Sequence, residues 1–571
     1  MSFLSDVAGL EPLDPIPVRT LPGLLEETAG AFPNRIAIDF LGRRWRYSSI
    51  ADLVDRAAQG LQELGLTPGE RVGLCLPNTP YFVIFYFAIM KAGGIVVNYN
   101  PLYTERELAT QVDDSGTTMM VLPDVRALHD KVVAVAARTG LRKLIVCPMA
   151  GAMPPLKRVL YSALKRRDIA APGKGPLYAS YAGLIANEGR PRPVPLDVHD
   201  VALLQYTGGT TGLPKGAALT HANLTANSAQ EIVVMAVGNL DVRILGVLPL
   251  FHVFALTTVL NYAIATGSTM ILLPRFQMKS ILSTIRRTQP NIFPAVPTLY
   301  TAVADAVEAG SRRQARAMRS IRFCISGGAP LPAEVKRRFE SLTGCHVAEG
   351  YGLSEASPVL TCNPLEQKDK PGSAGLPVIG TVIEIRDLGD PTRVLTQGER
   401  GEVCARGPQI MKGYWNHPQE TEATMIDGAL RTGDIGYLDE DGYLYLVDRI
   451  KDLILCSGFN VYPRVIEEAL YRHPDVLEAS VIGLPDHYRG EAPKAFVALK
   501  AGATVTEAEL CSFLVGQVSR IEMPREIEIR ASLPRTLVGK LSKKELVAEE
   551  AAKRLVATGQ AAPTVASHAA A

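Results

Sequence analysis

Ten consecutive apolar residues, YFVIFYFAIM at 81–90, constrain this chain more than any other feature. A helix that is apolar on every side needs cover on every side. Ten residues fall well short of the roughly 20 that cross a bilayer. The run therefore predicts a helix buried in a protein interior, placed after Pro80 and before the pair Gly93 and Gly94. On either side of it, 71–76 (RVGLCL) and 94–98 (GIVVN) read as buried strands. Strand–helix–strand order points to an α/β fold with a mostly parallel sheet covered by helices, and comparable alternation recurs to about residue 360.

The chain has 571 residues, more than one core organises, so at least two domains are expected. A formal net charge of +2 argues against a nucleic-acid partner held by bulk electrostatics. Eight cysteines, at 75, 147, 324, 345, 362, 404, 456 and 511, show neither Cys-x-x-Cys pairs nor metal-ligand spacing. They read as small buried hydrophobes in a reducing compartment. The first 17 residues lack the basic and apolar regions of a signal peptide, and a cytoplasmic location is expected. Within 153–167, Leu156, Val159, Leu160, Ala163 and Leu164 fall on one helical face, and Lys157, Arg158, Lys165, Arg166 and Arg167 fill much of the rest. Such a helix either packs on its own domain or touches an anionic membrane from the side. A turn-rich stretch at 387–401 reads as a hairpin. The charged cluster DRIKD at 448–452 marks a boundary, giving a large N-terminal domain at 1–447 and a small α+β domain at 448–550. The alanine-rich tail, 551–571, reads as flexible.

The strongest chemical signal is LLQYTGGTTGLPKG at 203–216. A strand-like run enters a loop built from Tyr206, Thr207, Gly208, Gly209, Thr210, Thr211, Gly212, Lys215 and Gly216. Glycines let backbone N–H groups converge on an anion, threonine hydroxyls add donors, and the lysine adds a point charge. That is a polyphosphate cradle. Pro214 rules out the kinase-type loop, which needs Gly-Lys-Ser/Thr there.

This segment resembles the phosphate-binding signature of the adenylate-forming family of acyl-CoA synthetases, luciferases and peptide-synthetase adenylation domains. Further resemblances follow in the family's order: PLFHVF at 249–254, SGGAPL at 326–331, GYGLSE at 350–355, RTGD at 431–434, DRIKD at 448–452, SGFNVYP at 457–463 and LPRTLVGKL at 533–541. The segments 97–104 (VNYNPLYT) and 458–463 look most like bacterial medium- and long-chain fatty-acid–CoA ligases. Two positions depart from the pattern: Ser354 stands for the usual threonine, and Ala429 for a frequent tryptophan.

The resemblance implies activation of a carboxylic acid by ATP and Mg²⁺ to an acyl-adenylate, then transfer to coenzyme A. It implies catalytic roles for Lys540, Glu355 and His252, with Glu355 holding magnesium and Thr207 a further metal donor. It places Tyr351 on the adenine opposite Gly327, Gly328 and Ala329, with Gly350, Gly352 and Ser354 in the same loop. Asp434 and Arg449 would hold the ribose end, Lys451 would be the hinge of a rotating C-terminal domain, and Gly458 would line the pantetheine tunnel. Dicarboxylic or aromatic acids, or a carrier protein as acceptor, stay open as alternatives. Some relatives are homodimers, and nothing in the sequence decides whether this chain is one.

Overall fold

Helix Pro80–Lys91 is buried from Pro80 through Met90. Proline fits the first turn, where its missing N–H is no loss, and Gly93, at φ +87°, turns the chain away from the helix end. The helix links strands Arg71–Leu74 and Ile95–Asn98, which pair in parallel. The computed structural model describes residues 3–7, 14–171, 173, 175–207, 214–235, 241–310, 312–365, 370–457, 459–536 and 540–557.

Among these residues four sheets form. The eight-stranded sheet runs Gly413–Tyr414, Lys215–Thr220, Val201–Thr207, Ile95–Asn98, Arg71–Leu74, Thr117–Pro123, Lys143–Cys147 and Tyr178–Ser180. The nine-stranded sheet runs Leu376–Pro377, Val359–Cys362, His346–Gly352, Phe323–Ser326, Ile292–Ala295, Arg243–Gly246, Thr269–Leu272, Ile36–Phe40 and Arg43–Arg46. One continuous core joins both sheets: Val72, Val96 and Leu203 of the first meet Ile38, Ile244 and Met270 of the second, and helix Pro80–Lys91 lies in it. That shared core is why the helix can be apolar all round.

A five-stranded antiparallel sheet follows, containing Val382–Arg386, Gly401–Arg406, Ala429–Leu438 and Leu444–Arg449. The turn-rich stretch at 387–401 does join two antiparallel strands. Beyond 453 a second five-stranded sheet, including Val476–Asp486 and Gly490–Leu499, carries its own core around Ile466, Val481, Val497 and Leu510. The alanine-rich end is helical further than expected: Lys543–Ala557 is one helix. Every cysteine is free, and all but Cys511 are buried. No helix of the described residues is long and apolar enough to cross a membrane.

Helix Pro155–Leu164 forms where periodicity predicts it, but none of its residues is buried.

Candidate active site

Four neighbouring parallel strands, Arg243–Gly246, Ile292–Ala295, Phe323–Ser326 and His346–Gly352, end along one edge of the nine-stranded sheet. Ligands of open α/β sheets bind outside such carboxyl ends. The segments leaving them carry His252, Val296, Gly327 with Gly328, and Glu355, while Tyr351 sits at the end of the last strand. Asn78 fixes the first of these segments: it accepts from Leu250 N at 2.8 Å and donates to the Leu248 carbonyl at 2.8 Å.

His252, Val296, Gly328, Phe254 and Ala255 line one cleft, and Lys540 completes it. The lysine comes from the C-terminal body, where Thr536 N donates to the Lys540 carbonyl at 2.7 Å. Gly328, at φ +79°, lets it in: a Cβ there would stand 3.1 Å from Lys540 Cε. Gly327 is held bare by Phe254, whose ring would be 3.1 Å from a Cβ. Burial lowers the Lys540 ammonium to about 8, Arg449 adds to the effect, and Asp434 partly offsets it. Burial, with the Lys540 charge, lowers His252 to about 3, so its imidazole is neutral at physiological pH. Its Nδ1 accepts from Phe254 N at 3.3 Å.

Asp434 and Arg449 face each other because their strands, Ala429–Leu438 and Leu444–Arg449, pair in that register. Arg449 Nε lies 3.2 Å from Asp434 Oδ1, and Tyr351 Oη donates to Asp434 Oδ2 at 2.7 Å. Two strongly polar groups and a phenol thus share one corner. Lys451 lies just beyond, in the single turn Ile450–Asp452, its pKa lowered by burial and by Arg449. Ala429 is fully buried, and nothing in the structure explains it in place of the frequent tryptophan.

Glu355 is buried in the turn Ser354–Ala356, and burial raises its pKa. Tyr414 Oη donates to its Oε1 at 2.8 Å. Among the described residues, Tyr414 and the Glu355 backbone bond this carboxylate, and both oppose the effect of burial on its pKa. No cluster of three or more His, Cys, Asp or Glu side chains suited to a metal occurs among them. That arrangement suits magnesium, which is held by one or two carboxylates together with substrate phosphates. Gly352 packs against backbone, where a Cβ would be 1.9 Å from the Pro358 carbonyl oxygen.

Thr207 and Lys215 are the last pair of the antiparallel ladder between Val201–Thr207 and Lys215–Thr220. Gly208, Gly209, Thr210, Thr211 and Gly212 lie outside the described residues, as does Gly458. Lys215 Nζ is 4.0 Å from Glu420 Oε1 and 5.4 Å from the centre of the Tyr414 ring. Tyr206 donates its hydroxyl to Asp114, and its ring packs 3.0 Å from the Cβ position of Gly216. Asp114 Oδ1 lies 3.1 Å from His417 Nε2, and His417 Nδ1 lies 3.4 Å from Glu420. Tyr414, His417, Glu420 and Asp114 carry no motif that marks them in the sequence. The short strand Gly413–Tyr414, lying beside Lys215–Thr220, brings in the first three, and Asp114 comes from helix Glu105–Ser115.

Residues 25–415 match the AMP-binding enzyme family, and residues 465–540 match the AMP-binding enzyme C-terminal domain. The chain belongs to this family. It is 41% identical over 547 residues to a long-chain-fatty-acid–CoA ligase of Bacillus subtilis (strain 168), covering 94% of this chain and 95% of that one. It is 34% identical over 515 residues to a feruloyl-CoA synthase of Amycolatopsis sp, covering 90% and 96%. Its fold resembles ATP-bound MatB from Rhodopseudomonas palustris, with a TM-score of 0.81, 29% identity and coverage of 94% and 100%. It also resembles the anthranilate CoA ligase AuaEII in complex with anthranoyl-AMP, with a TM-score of 0.83, 25% identity and coverage of 96% and 100%.

Proposed function

We propose that the protein is an AMP-forming acid–thiol ligase that converts a medium- or long-chain fatty acid to acyl-AMP and pyrophosphate, then to acyl-CoA and AMP. The observation that carries this reading is Lys540, delivered by one body into a cleft lined by His252, Val296 and Gly328 of the other. The acid and ATP are both anions, so attack of the carboxylate on the α-phosphate needs positive charge at the reacting centre. Lys540 supplies it there. Lys215 and the tip of the 207–216 hairpin hold the departing phosphates. Asp434 and Arg449 hold the ribose end, and Tyr351 packs on the adenine opposite Gly327, Gly328 and Ala329. Glu355 would hold the magnesium, with Thr207 as a further donor, and the ion would neutralise charge on the phosphates. Neutral His252 fits a wall of the acid site, since a cation there would compete with Lys540 for the carboxylate.

Coenzyme A must then reach the carbonyl that Lys540 covers. Rotation of the C-terminal domain about Lys451 would withdraw the lysine and bring Gly458 to the thiol path. The similarity to long-chain-fatty-acid–CoA ligases and the apolar side chains Val296, Phe254 and Ala255 support a fatty acid. The same reading places the enzyme in the cytoplasm in contact with a lipid surface, because long-chain acids partition into bilayers.

The test is pyrophosphate release with and without coenzyme A, across straight-chain acids from acetate to oleate plus benzoates and dicarboxylates. Magnesium- and ATP-dependent release with a window of fatty acids, and an acyl-CoA product, is the expected result. Turnover confined to aromatic or dicarboxylic acids would overturn the choice of acid. No release with any acid would overturn the ligase.

A further inference from the structure

Helix Pro155–Leu164 takes no part in the cleft, and its side chains are arranged against the usual economy of a surface. Leu156, Val159, Leu160 and Leu164 are 74%, 66%, 50% and 79% exposed. A step of about 100° per residue puts them on one stripe. Single exposed aliphatics are ordinary, but a contiguous apolar stripe marks a surface that is covered in use.

The stripe is held outward by the rest of the protein. Tyr161, on another side of the helix, packs against the main core. Lys157 Nζ donates to the Leu41 carbonyl at 2.8 Å. Arg126 donates to the carbonyls of Arg167 and Ile169 at 2.7 and 2.8 Å, which pins the turn that follows. The borders of the stripe are basic: 155–169 holds Lys157, Arg158, Lys165, Arg166 and Arg167 against one acid, Asp168. Lys165 pairs with Asp168 at 2.8 Å, and Arg158, Arg166 and Arg167 are exposed.

The position also matters. Strand Lys143–Cys147, which leads to the helix, is linked through three intervening strands, all parallel, to Val201–Thr207, which leads to the phosphate hairpin. Both leave the same edge of the sheet, four strand spacings or about 19 Å apart. Tyr81 Oη donates to the Pro148 carbonyl at 3.0 Å, three residues after the Asn78 that fixes the segment leading to His252. The exposed helix and the phosphate hairpin therefore leave one edge of the eight-stranded sheet, and the segments leading to the helix and to His252 share one support.

We propose that helix Pro155–Leu164 and residues 165–167 dock on the anionic surface of a lipid bilayer. An apolar stripe bordered by cations complements hydrocarbon beneath a layer of phosphates, with long arginine side chains reaching up to the headgroups. The proposal rests on contact with a lipid surface and names the face that makes it.

The experiment is co-sedimentation of the full chain with phosphatidylcholine vesicles, with and without phosphatidylglycerol. Two variants accompany it: Leu156→Ser with Leu164→Ser, and Arg158→Gln with Arg166→Gln and Arg167→Gln. Wild type should pellet with the anionic vesicles and come off as salt rises. Loss of three cations should weaken partition roughly a hundredfold, and the serine pair should abolish it. Both variants should keep wild-type melting temperatures and pyrophosphate exchange with a short, soluble acid. If wild type never pellets, lipid contact fails and the proposal with it. If wild type and both variants pellet alike, lipid contact stands but another face makes it, and the proposal is overturned. If light scattering shows a wild-type dimer that the serine pair turns into a monomer, a second copy covers the stripe, which also overturns it.

Discussion

Raising the pH through 8 should switch off acid activation by discharging Lys540. An ordinary lysine keeps its proton to about pH 10. Here burial and the nearby Arg449 lower the ammonium to about 8. The charged form is the active one, so activity is present below this value and lost above it. At pH 7 roughly nine in ten free enzyme molecules carry the charge, and at pH 9 roughly one in ten do. kcat/KM for ATP should therefore fall about tenfold between these values, and about tenfold for each further pH unit. Bound nucleotide surrounds the ammonium with negative charge, so kcat should fall at higher pH than kcat/KM. The assay is ATP–pyrophosphate exchange without coenzyme A, which keeps the cosubstrate thiol out of the profile. His252, lowered to about 3, is neutral throughout the range and adds no limb of its own. Arg449→Gln should move the limb to higher pH, because it removes the second cause of the shift, even as it weakens ATP binding. Melting temperatures across the same range separate discharge from unfolding. A wild-type profile flat to about pH 10, or the same limb in Lys540→Ala, would refute the reasoning.

Tyr414→Phe keeps the ring beside Lys215 but removes the phenol's hydrogen bond to Glu355. It should lower kcat for exchange about tenfold, in line with loss of one hydrogen bond to a charged group, and raise the magnesium needed for half-saturation. The KM for the acid should not change, and Mn²⁺ binding in the presence of ATP, followed by electron paramagnetic resonance, should weaken in parallel. Lys451→Pro should leave pyrophosphate exchange within about twofold of wild type while thioester formation falls by about a hundredfold or more; equal loss of both would exclude a hinge there. Gly352→Ala puts a methyl group 1.9 Å from the Pro358 carbonyl oxygen. Because the obstacle is backbone, it should cost about 1–3 kcal/mol of stability, read by denaturant unfolding, and should disturb exchange through its neighbours Tyr351 and Glu355.

The α/β class was readable because strands and helices leave periodic marks, and the buried helix because its run of apolar residues allowed nothing else. Gly328 was singled out in one dimension only by the resemblance of SGGAPL at 326–331, and the structure supplies the reason for its bareness, since Lys540 stands where a side chain would be. Tyr414 and Glu355 are different. They lie 59 residues apart and meet only because segments from distant parts of the chain are packed side by side. Asp114 and Tyr206, 92 residues apart, meet in the same way. No local pattern encodes such pairs. Helix Pro155–Leu164 shows a third case: its period of 3.6 was plain, but periodicity reports that a stripe exists and is silent on which way the fold turns it.

Among the described residues the chain crosses once, near residues 449–453, from the body built on the two large sheets to the body that carries Lys540. The cleft is therefore completed by a contact within one molecule, at an effective concentration set by a tether of a few residues, on the order of millimolar or above. Cutting that crossing would leave two units with cores of their own, and the first chemical step would become dependent on protein concentration. For the same reason, anything that merely holds the smaller unit away would silence the enzyme without touching a residue that binds ATP.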